Sequence, residues 1–278
     1  MKMSSASVVI ATYNRPGLAL NLVKQIREYH PKIEIIIVDQ ENSSKINPGD
    51  IKKYQIKYFN HEKANSSLAK NRGVRETTGE IVIFFDDDVE ITKTTIKEHL
   101  NAYKDKNVVG VAGRVINDGE KIPKNSAVET GKTNFFGLRF IQNFWSTKKQ
   151  SVDFPYGCNM SYRRSAIIKA GMFDPKLSKI FEEIDLGIRL SRKAGKIIFI
   201  PEALVYHHKA ASGGIRPDEK KSKDQFVFKN YGYYLAKNVP FPFSLISLLV
   251  RTRTLLLKHP FVLIDFYRSY LYYFFPSK

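Results

Sequence analysis

The chain has 278 residues, of which 43% are hydrophobic, and a formal net charge of +18 at pH 7. This length and apolar content are enough for a full hydrophobic core, so a disordered chain is excluded. The single cysteine, Cys158, excludes an intramolecular disulfide and a cysteine-based zinc cluster, so a bound metal would need oxygen or imidazole ligands.

The first elements of the chain predict a strand–helix–strand unit. Residues 6–11 form a β-branched run that ends in a turn, which predicts a buried strand. Residues 18–29 carry apolar side chains at helical spacing, with Pro31 just beyond, and predict a helix. Residues 33–38 predict a second buried strand, which ends at Asp39. Such a unit indicates a parallel sheet that binds its ligands at the carboxyl ends of the strands.

The alternation of strands and helices continues along the chain. Further strands are predicted at residues 56–59, 80–85, 108–115, 196–200 and 203–206. Further helices are predicted at residues 68–76, 96–103, 164–170 and 181–193. Residues 116–153 have no clear period and predict a partly looped region. The Lys-, Gly- and Ser-rich residues 209–224 predict a mobile segment.

Aspartates and histidines at the ends of predicted strands are candidate metal ligands. Asp86, Asp87 and Asp88 directly follow the most apolar predicted strand. Residues two apart in an extended chain point the same way, so Asp86 and Asp88 can face one ligand, such as a hard divalent ion that also binds phosphates. His207 and His208 end another predicted strand, and one imidazole is a candidate to complete this site. An acidic solvated turn is the alternative for the aspartates alone.

A second acidic group, Glu182, Glu183 and Asp185, lies at the start of the helix predicted over residues 181–193. Acidic residues at this position can simply complement the helix dipole. They can also supply the general base that transfer to a hydroxyl requires. The residues by themselves do not decide between the two adjacent glutamates.

Five sequence blocks span most of the chain. They are VVIATYNRP at 8–16, IIIVDQ at 35–40, LAKNRGVRETTGEIVIFFDDDV at 68–89, PYGCNMSYRRSAIIKAGMFD at 155–174 and FEEIDLGIRLSRKAGKIIFIPEALVYHH at 181–208. In order and spacing, these blocks resemble the GT-A-fold glycosyltransferases of family 2. The resemblance covers about residues 6–210.

The resemblance implies an α/β GT-A fold, in which a Rossmann-like, mostly parallel central sheet is flanked by helices. It implies a catalytic domain at residues 1–225, with a nucleotide-binding half at about 1–115 and an acceptor-side half at about 116–225. Residues 226–278 would then form a helical, aromatic and basic C-terminal extension.

The resemblance also implies roles for individual residues. Asp39 would contact the nucleotide base, Asp86 would approach the ribose, and Asp88 and His207 would hold Mn²⁺ or Mg²⁺. Glu183 occupies the position of the catalytic base. The other residues expected to bind the nucleotide and donor are Thr12, Tyr13, Arg15, Lys70, Arg72 and Asp87. Those expected on the donor-sugar and acceptor side are Gly157, Asn159, Glu182 and Asp185.

The activity implied is inverting sugar transfer from a nucleoside-diphosphate donor to a hydroxyl of a glycan or lipid-linked acceptor. Glu183 would deprotonate that hydroxyl in a single displacement. UDP is the most frequent nucleotide in the family, and GDP and dTDP are not excluded. Synthesis of surface polysaccharide or glycoconjugates would be the setting.

The sequence departs from the family at two positions. Residues 39–43, Asp-Gln-Glu-Asn-Ser, stand where Asp-Asp-Gly-Ser is usual, which puts the contacts to the base and ribose in question. Glu183 stands where the family usually has an aspartate. A carboxylate remains there, so the role of base can survive.

Residues 239–278 are dense in Leu, Phe and Tyr, with Arg and Lys interspersed. The pattern predicts an amphipathic helix at an anionic membrane surface, with aromatic anchors. Packing on the catalytic domain or on another subunit is the alternative. The leucines predicted to share one face, and the cations predicted opposite them, are Leu245, Leu248, Leu249, Leu255, Leu256, Arg251 and Lys258.

Two further patterns bear on location. The longest uncharged apolar stretch, residues 238–250, is shorter than the roughly 18–20 residues that span a bilayer. The first residues of the chain show no export signal. We therefore expect a cytoplasmic protein that is peripheral on the inner face of the cell membrane.

Other functional classes compete with the glycosyltransferase interpretation. A nucleotidyltransferase of nucleotide-sugar synthesis would typically carry a Gly-rich loop after its first strand, where this chain has ATYNRP. A nucleic-acid-binding protein would explain the net charge, but the basic residues are spread along the chain, so we expect no nucleic-acid partner. A catalytically inactive scaffold is disfavoured because Asp86, Asp88, Glu183 and His207 are all present.

Overall fold

The computed structural model describes residues 5–40, 45–61, 64–210 and 220–276. Residues 41–43, where the chain departs from the family pattern, and residues 211–219 of the predicted mobile segment lie outside this part of the chain. The strands are β1 (Ala6–Thr12), β2 (Glu34–Asp39), β3 (Ile56–Asn60), β4 (Ile81–Asp86), β5 (Val89–Ile91), β6 (Val108–Asn117), β7 (Lys132–Thr133), β8 (Phe140–Ile141), β9 (Gln150–Val152), β10 (Asn159–Arg163) and β11 (Lys196–His207).

The helices follow the strands in alternation through the first half of the chain and then run consecutively at its end. They are α1 (Pro16–Tyr29), α2 (Pro48–Lys53), α3 (Ser66–Glu76), α4 (Thr95–Ala102), α5 (Arg164–Lys169), α6 (Glu182–Lys193), α7 (Lys220–Asn238), α8 (Phe243–Lys258) and α9 (Leu263–Phe274). Short 3₁₀ helices lie at Pro175–Leu177 and Pro260–Val262.

Nine of the described strands form one sheet of order β3-β2-β1-β4-β10-β6-β11-β5, with β9 paired to β11, and β7 and β8 form a separate two-stranded sheet. Strands β3, β2, β1 and β4 are mutually parallel, and β6 is parallel to β11. Strand β10 runs antiparallel between β4 and β6. The predicted mainly parallel sheet with flanking helices is confirmed. Because β1, β2 and β4 are parallel neighbours, their carboxyl ends meet at one edge of the sheet, where ligands bind in such folds.

The core lies between the sheet and its helices. Val8, Val9 and Ile10 of β1 are at most 1% exposed, and burial of such a side chain contributes roughly 1.5–3 kcal/mol. Helix α3 packs closely on this strand, since a Cβ at Gly73 would lie 2.3 Å from the Val9 side chain. Glycine at position 73 therefore lets α3, which carries Lys70, approach β1.

Strand β10 is a central strand that the sequence pattern does not predict. Its sequence, NMSYR, has no apolar run, yet Asn159 to Tyr162 are buried. The polar side chains are satisfied inside the core, because His99 of α4 hydrogen-bonds to Asn159 Oδ1 at 2.8 Å and to Ser161 Oγ at 2.9 Å. Internal hydrogen bonding thus replaces the apolar signal that usually indicates a central strand.

The C-terminal helices pack on the preceding part of the chain. Arg251 of α8 donates to the Leu138 carbonyl and to the Tyr231 hydroxyl, both at 3.1 Å. Arg251 therefore points toward the rest of the protein. The sequence pattern instead predicts it on a polar face that is exposed to solvent. The predicted leucine face is divided as well, since Leu248 and Leu255 are buried while Leu245, Leu249 and Leu256 are 41%, 58% and 57% exposed.

Within the described residues, every helix is too short or too polar to cross a membrane.

Candidate functional site

Two carboxylates and one imidazole converge at the carboxyl edge of the sheet. Asp86 ends β4, Asp88 follows it, and His207 ends β11. One ligand atom from each lies within 4.8 Å of the others. Asp88 Oδ1 lies 3.2 Å from His207 Nε2, and it has no well-aligned hydrogen bond to any of the described residues. A buried carboxylate oxygen that lacks a hydrogen bond and lies beside a second carboxylate and an imidazole fits a divalent cation such as Mn²⁺ or Mg²⁺.

Neighbouring polar groups hold this cluster in place. Asn117 Oδ1 lies 3.0 Å from His207 Nδ1, so the side chain of His207 is oriented with Nε2 toward Asp88. Such an outer hydrogen bond fixes the ring of a metal-binding histidine. Burial favours a raised pKa for Asp88, but His207 and Arg15 outweigh it and hold the pKa of this carboxyl at about 2. Asp88 is therefore ionised at neutral pH, as a metal ligand must be.

Arg15 connects the loop after β1 to the aspartates. Its guanidinium contacts Asp87 Oδ1 at 2.8 Å and Asp88 Oδ2 at 2.9 Å. Thr12 Oγ1 donates to Asp87 Oδ2 at 2.6 Å. Burial raises the pKa of Asp87 to about 7, although Arg15 and Thr12 act in the opposite direction. Asp87 is thus engaged by β1 and its loop and orients the aspartate segment, while Asp86 and Asp88 face the cation position.

A buried lysine joins the aspartates to the acidic start of α6. Lys70 Nζ lies 3.1 Å from Glu182 Oε1, and Lys70 is 6% exposed. Ser66 Oγ donates to the same glutamate oxygen at 3.0 Å. Burial works against the charge of Lys70, but Glu182, Asp86 and Glu183 raise its pKa above the usual range. Lys70 is therefore a fixed positive charge between two groups of carboxylates.

Glu183 lies beside this ion pair and opposite Gly157. A Cβ built at Gly157 would lie 3.7 Å from the carboxyl carbon of Glu183 and 3.9 Å from Lys70 Nζ. Burial raises the pKa of Glu183, Glu182 raises it further, and Lys70 opposes both. A carboxyl with a raised pKa is a better proton acceptor once it is ionised. The absence of a side chain at Gly157 leaves space directly in front of this carboxyl.

The backbone just before the two glutamates is strained. Phe181, which precedes α6, has a φ of 73° in the left-handed region that a non-glycine residue rarely adopts. Its ring stacks on Tyr231 and Tyr234 of α7, with centroid distances of 5.3 and 5.0 Å. Helix α7 therefore holds the conformation that directs Glu182 and Glu183 toward Lys70. The sequence predicts no role for these three aromatic residues, because nothing in it links residues 181 and 231.

An open pocket of about 160 Å³ lies between the end of β1 and the start of α6. Asp86 and Glu182 both line it, so one ligand can contact both carboxylates. Asp39, at the end of β2 and next to the pocket residue Gln40, accepts a hydrogen bond of 2.5 Å from the hydroxyl of Tyr58 in β3. The residues that line the pocket are Ala11, Tyr13, Arg15, Gln40, Ser66, Lys70, Asp86, Lys179 and Glu182.

Three residues expected at the site are engaged elsewhere. Arg72 pairs with Glu76 at 2.9 Å on the outer face of α3. The amide nitrogen of Asn159 donates to the carbonyls of Arg114 and Ala203 within the sheet.

Asp185 is the third. It is fully buried on the side of α6 that faces α7. It binds Arg189 at 2.7 Å, Lys237 at 3.0 Å and the amide of Asn238 at 3.1 Å. These contacts indicate that Asp185 anchors α7, whereas Glu182 lines the pocket and Glu183 lies opposite Gly157.

Together, the sheet and the carboxylate–imidazole cluster at its edge define the class of GT-A glycosyltransferases. The crystal structure of GalNAc-T7 with UDP, GalNAc and Mn²⁺ is similar in fold, with a TM-score of 0.61 and 18% identity over 91% of this chain and 54% of that one. Residues 7–171, more than half of the chain, match the family described as glycosyl transferase family 2. The chain belongs to this family.

Two relatives are similar in sequence. The O-antigen biosynthesis protein RfbC of Myxococcus xanthus is 21% identical over 230 residues, which are 74% of this chain and 17% of RfbC. The GalNAc(5)-diNAcBac-PP-undecaprenol beta-1,3-glucosyltransferase of Campylobacter jejuni is 30% identical over 166 residues, 54% of this chain and 53% of that enzyme. This chain thus matches about half of one relative and less than a fifth of the other. The family match favours the glycosyltransferase prediction over a nucleotidyltransferase or a nucleic-acid-binding protein.

Proposed function

We propose that the protein transfers a sugar from a UDP-sugar to a hydroxyl of a lipid-linked or polysaccharide acceptor, with inversion. The observation that carries the proposal is the arrangement of two acidic groups around Lys70. Asp86 and Asp88 lie on one side, and Glu182 and Glu183 lie on the other, beside the open position at Gly157. This arrangement provides a position for a diphosphate beside the aspartates and a position for a base beside Gly157.

Asp86, Asp88 and His207 would hold Mn²⁺ or Mg²⁺ at the diphosphate end. Bound there, the ion would neutralise negative charge on the departing nucleoside diphosphate. Lys70 adds a buried positive charge on the same side of the pocket. In our proposal, Tyr13, Arg15 and Asp39 line the nucleoside part, and Thr12 supports it through Asp87.

Glu183 would accept the proton of the attacking hydroxyl. Glu182 is already bound by Lys70 and Ser66, which leaves Glu183 as the carboxyl that faces the space at Gly157. The negative charge of Glu182 favours the protonated form of Glu183. Glu183 is therefore a stronger base once it is ionised. Attack from the side opposite the leaving diphosphate in a single displacement would give inversion.

The acceptor assignment rests on the relatives and on the C-terminal helices. The two relatives are an O-antigen biosynthesis protein and an enzyme whose acceptor is carried on undecaprenol diphosphate. In this chain, α8 exposes several leucines, with Leu249 and Leu257 58% and 79% exposed. Exposed apolar surface of this extent beside Arg253 suits an anionic membrane surface. We propose that residues 226–278 serve as the membrane-facing extension of a catalytic domain at residues 1–225, on the inner face of the cell membrane.

Calorimetric titration with UDP, GDP and dTDP, with and without Mn²⁺, tests the donor site. We expect UDP to bind only with the metal, and Asp88→Ala to abolish this binding. Glu28→Ala, which removes an exposed carboxylate of α1, is the matched control and should bind as the unaltered protein does. Metal-independent binding, or equal binding by Asp88→Ala, would overturn the assignment of the cation site.

Vesicle sedimentation tests the membrane surface. We expect binding to vesicles that contain anionic lipid, and a large loss of binding for the double variant Leu249→Ser/Leu257→Ser. The control, Ile122→Ser/Ile168→Ser, removes two exposed apolar side chains outside α8, which are 37% and 44% exposed. Equal losses in the two double variants would refute a specific role for α8.

A further inference from the structure

We infer that a groove between α7 and α9 binds the diphosphate group of a lipid-linked acceptor, an inference that rests on the proposed function. The groove has a volume of about 460 Å³ and lies outside the donor pocket. Three cations from three separate elements line it, namely Lys176 of the 3₁₀ helix at Pro175–Leu177, Lys229 of α7 and Arg268 of α9.

Among the residues that the structure describes, these three cations have no carboxylate partner. In the described part of the chain, none of them lies within salt-bridge distance of a carboxylate, and Asp265 is the one carboxylate among the residues that line the groove. The Lys176 ammonium lies instead 4.2 Å from the centroid of the Tyr272 ring. By contrast, Lys237, two turns further along α7, pairs with Asp174 and Asp185. Lys229 and Arg268 are thus available for an external anion, and a diphosphate carries the complementary charge.

The groove opens at an apolar surface. On α9, Ile264 and Leu271 are 65% and 52% exposed and flank Arg268 at spacings of four and three residues. These spacings place the three residues on one helical face, and Phe275, directly after the helix, is 76% exposed. A lipid diphosphate has an anionic head joined to a long apolar chain. Its head would lie in the groove, and its chain would lie along the apolar surface of α9. This match favours a lipid diphosphate over free phosphate.

The groove also adjoins the donor pocket through a short segment. Asn230, which lines the groove, donates to the carbonyl of Ser178 at 3.1 Å. Ser178 in turn accepts a hydrogen bond from the backbone of Ser66, a donor-pocket residue, at 3.0 Å. Seven residues separate Lys176 from Glu183, so their Cα atoms are at most about 25 Å apart. The glycan of one acceptor can therefore extend from the groove to the catalytic base.

Binding of farnesyl diphosphate to the full chain, measured by calorimetry in the presence of EDTA, tests the groove. EDTA removes divalent metal, so the donor site contributes little to the binding of a diphosphate. We expect Lys229→Gln/Arg268→Gln to weaken binding at least about tenfold, because two charge-assisted contacts are lost. Lys32→Gln/Arg75→Gln makes the same change in net charge at exposed residues and should leave binding within about twofold.

Other arms of the experiment separate the possible sources of binding. Farnesol bound as tightly as farnesyl diphosphate would show apolar binding alone, and pyrophosphate bound as tightly would show a free-phosphate site. Either result, or undiminished binding by Lys229→Gln/Arg268→Gln, overturns the inference. UDP with Mn²⁺ should bind the groove variant as it binds the unaltered protein. If UDP with Mn²⁺ does not bind the unaltered protein, the donor-site assignment is refuted. The binding of farnesyl diphosphate still tests the groove by itself.

Discussion

Replacing Glu182 by glutamine should shift the pH dependence of sugar transfer to lower pH. Burial is the main cause of the raised pKa of Glu183, and the negative charge of Glu182 is the second cause, while Lys70 opposes them. Glu182→Gln removes the negative charge and leaves Lys70 without its carboxylate partner. Both changes lower the pKa of Glu183.

The size of the shift follows from the separation of the charges. A unit charge within about 4–6 Å changes a pKa by roughly 1–3 units, and each unit corresponds to about 1.4 kcal/mol. A base acts in its deprotonated form, so kcat/KM rises as pH rises through the pKa of Glu183. We therefore expect the acidic limb of the profile to move down by at least about one pH unit in Glu182→Gln.

Initial rates measured across the acidic and neutral pH range give the profile. Glutamine keeps an oxygen that can accept hydrogen bonds from Lys70 and Ser66, so the local geometry should survive, and a thermal melt checks this. Glu28→Gln controls for the change in net charge. A limb that stays in place, or that moves to higher pH, would refute the assignment of Glu183 as the base.

Four other substitutions separate catalytic from structural roles. Glu183→Gln should lower kcat by roughly 10²–10⁴-fold while UDP binding with Mn²⁺ stays within about twofold, and a retained kcat would contradict the base assignment. Gly157→Val should lower kcat/KM without a change in melting temperature, because its side chain would fill the space before Glu183, whereas a drop in melting temperature would indicate a packing role. Asp185→Asn should destabilise the protein by roughly 3 kcal/mol in denaturant unfolding, because it weakens a buried pair with Lys237, and it should leave UDP binding intact. Gly232→Ala should lower the melting temperature, because its Cβ would lie 2.2 Å from a carbonyl oxygen of α9, and an unchanged melt would contradict the tight α7–α9 packing.

The sequence alone predicts the strands and helices in which a run of apolar residues coincides with a turn or with helical spacing. Strands β1, β2 and β4 and helices α1 and α3 were predicted within a few residues, because each combines a buried run with a turn or helical spacing. The cluster of Asp86, Asp88 and His207 was predicted for the same reason, since strand ends of a parallel sheet meet at one edge.

Other placements needed the tertiary structure or a stricter use of helical geometry. Residues two apart on a helix do not share a face. Arg72 therefore lies away from Lys70 on α3, and Asp185 lies away from Glu183 on α6. Asn159 is different, because β10 is buried on both sides and no periodicity indicates where its side chain points.

The stack on Phe181 makes the C-terminal helices part of the candidate catalytic site. A left-handed backbone at a non-glycine residue costs about 1–3 kcal/mol, and each favourable aromatic pair returns roughly 0.5–1.5 kcal/mol. The rings of Tyr231 and Tyr234 therefore offset much of the cost of the conformation that directs Glu182 and Glu183. A truncation at residue 225 would remove both rings, and one at residue 238 would still remove Arg251, which hydrogen-bonds to the hydroxyl of Tyr231. Loss of activity in either truncation would therefore reflect displacement of the proposed base as well as loss of membrane binding. Exposed substitutions such as Leu249→Ser leave this stack intact, so they separate membrane binding from catalysis where deletion cannot.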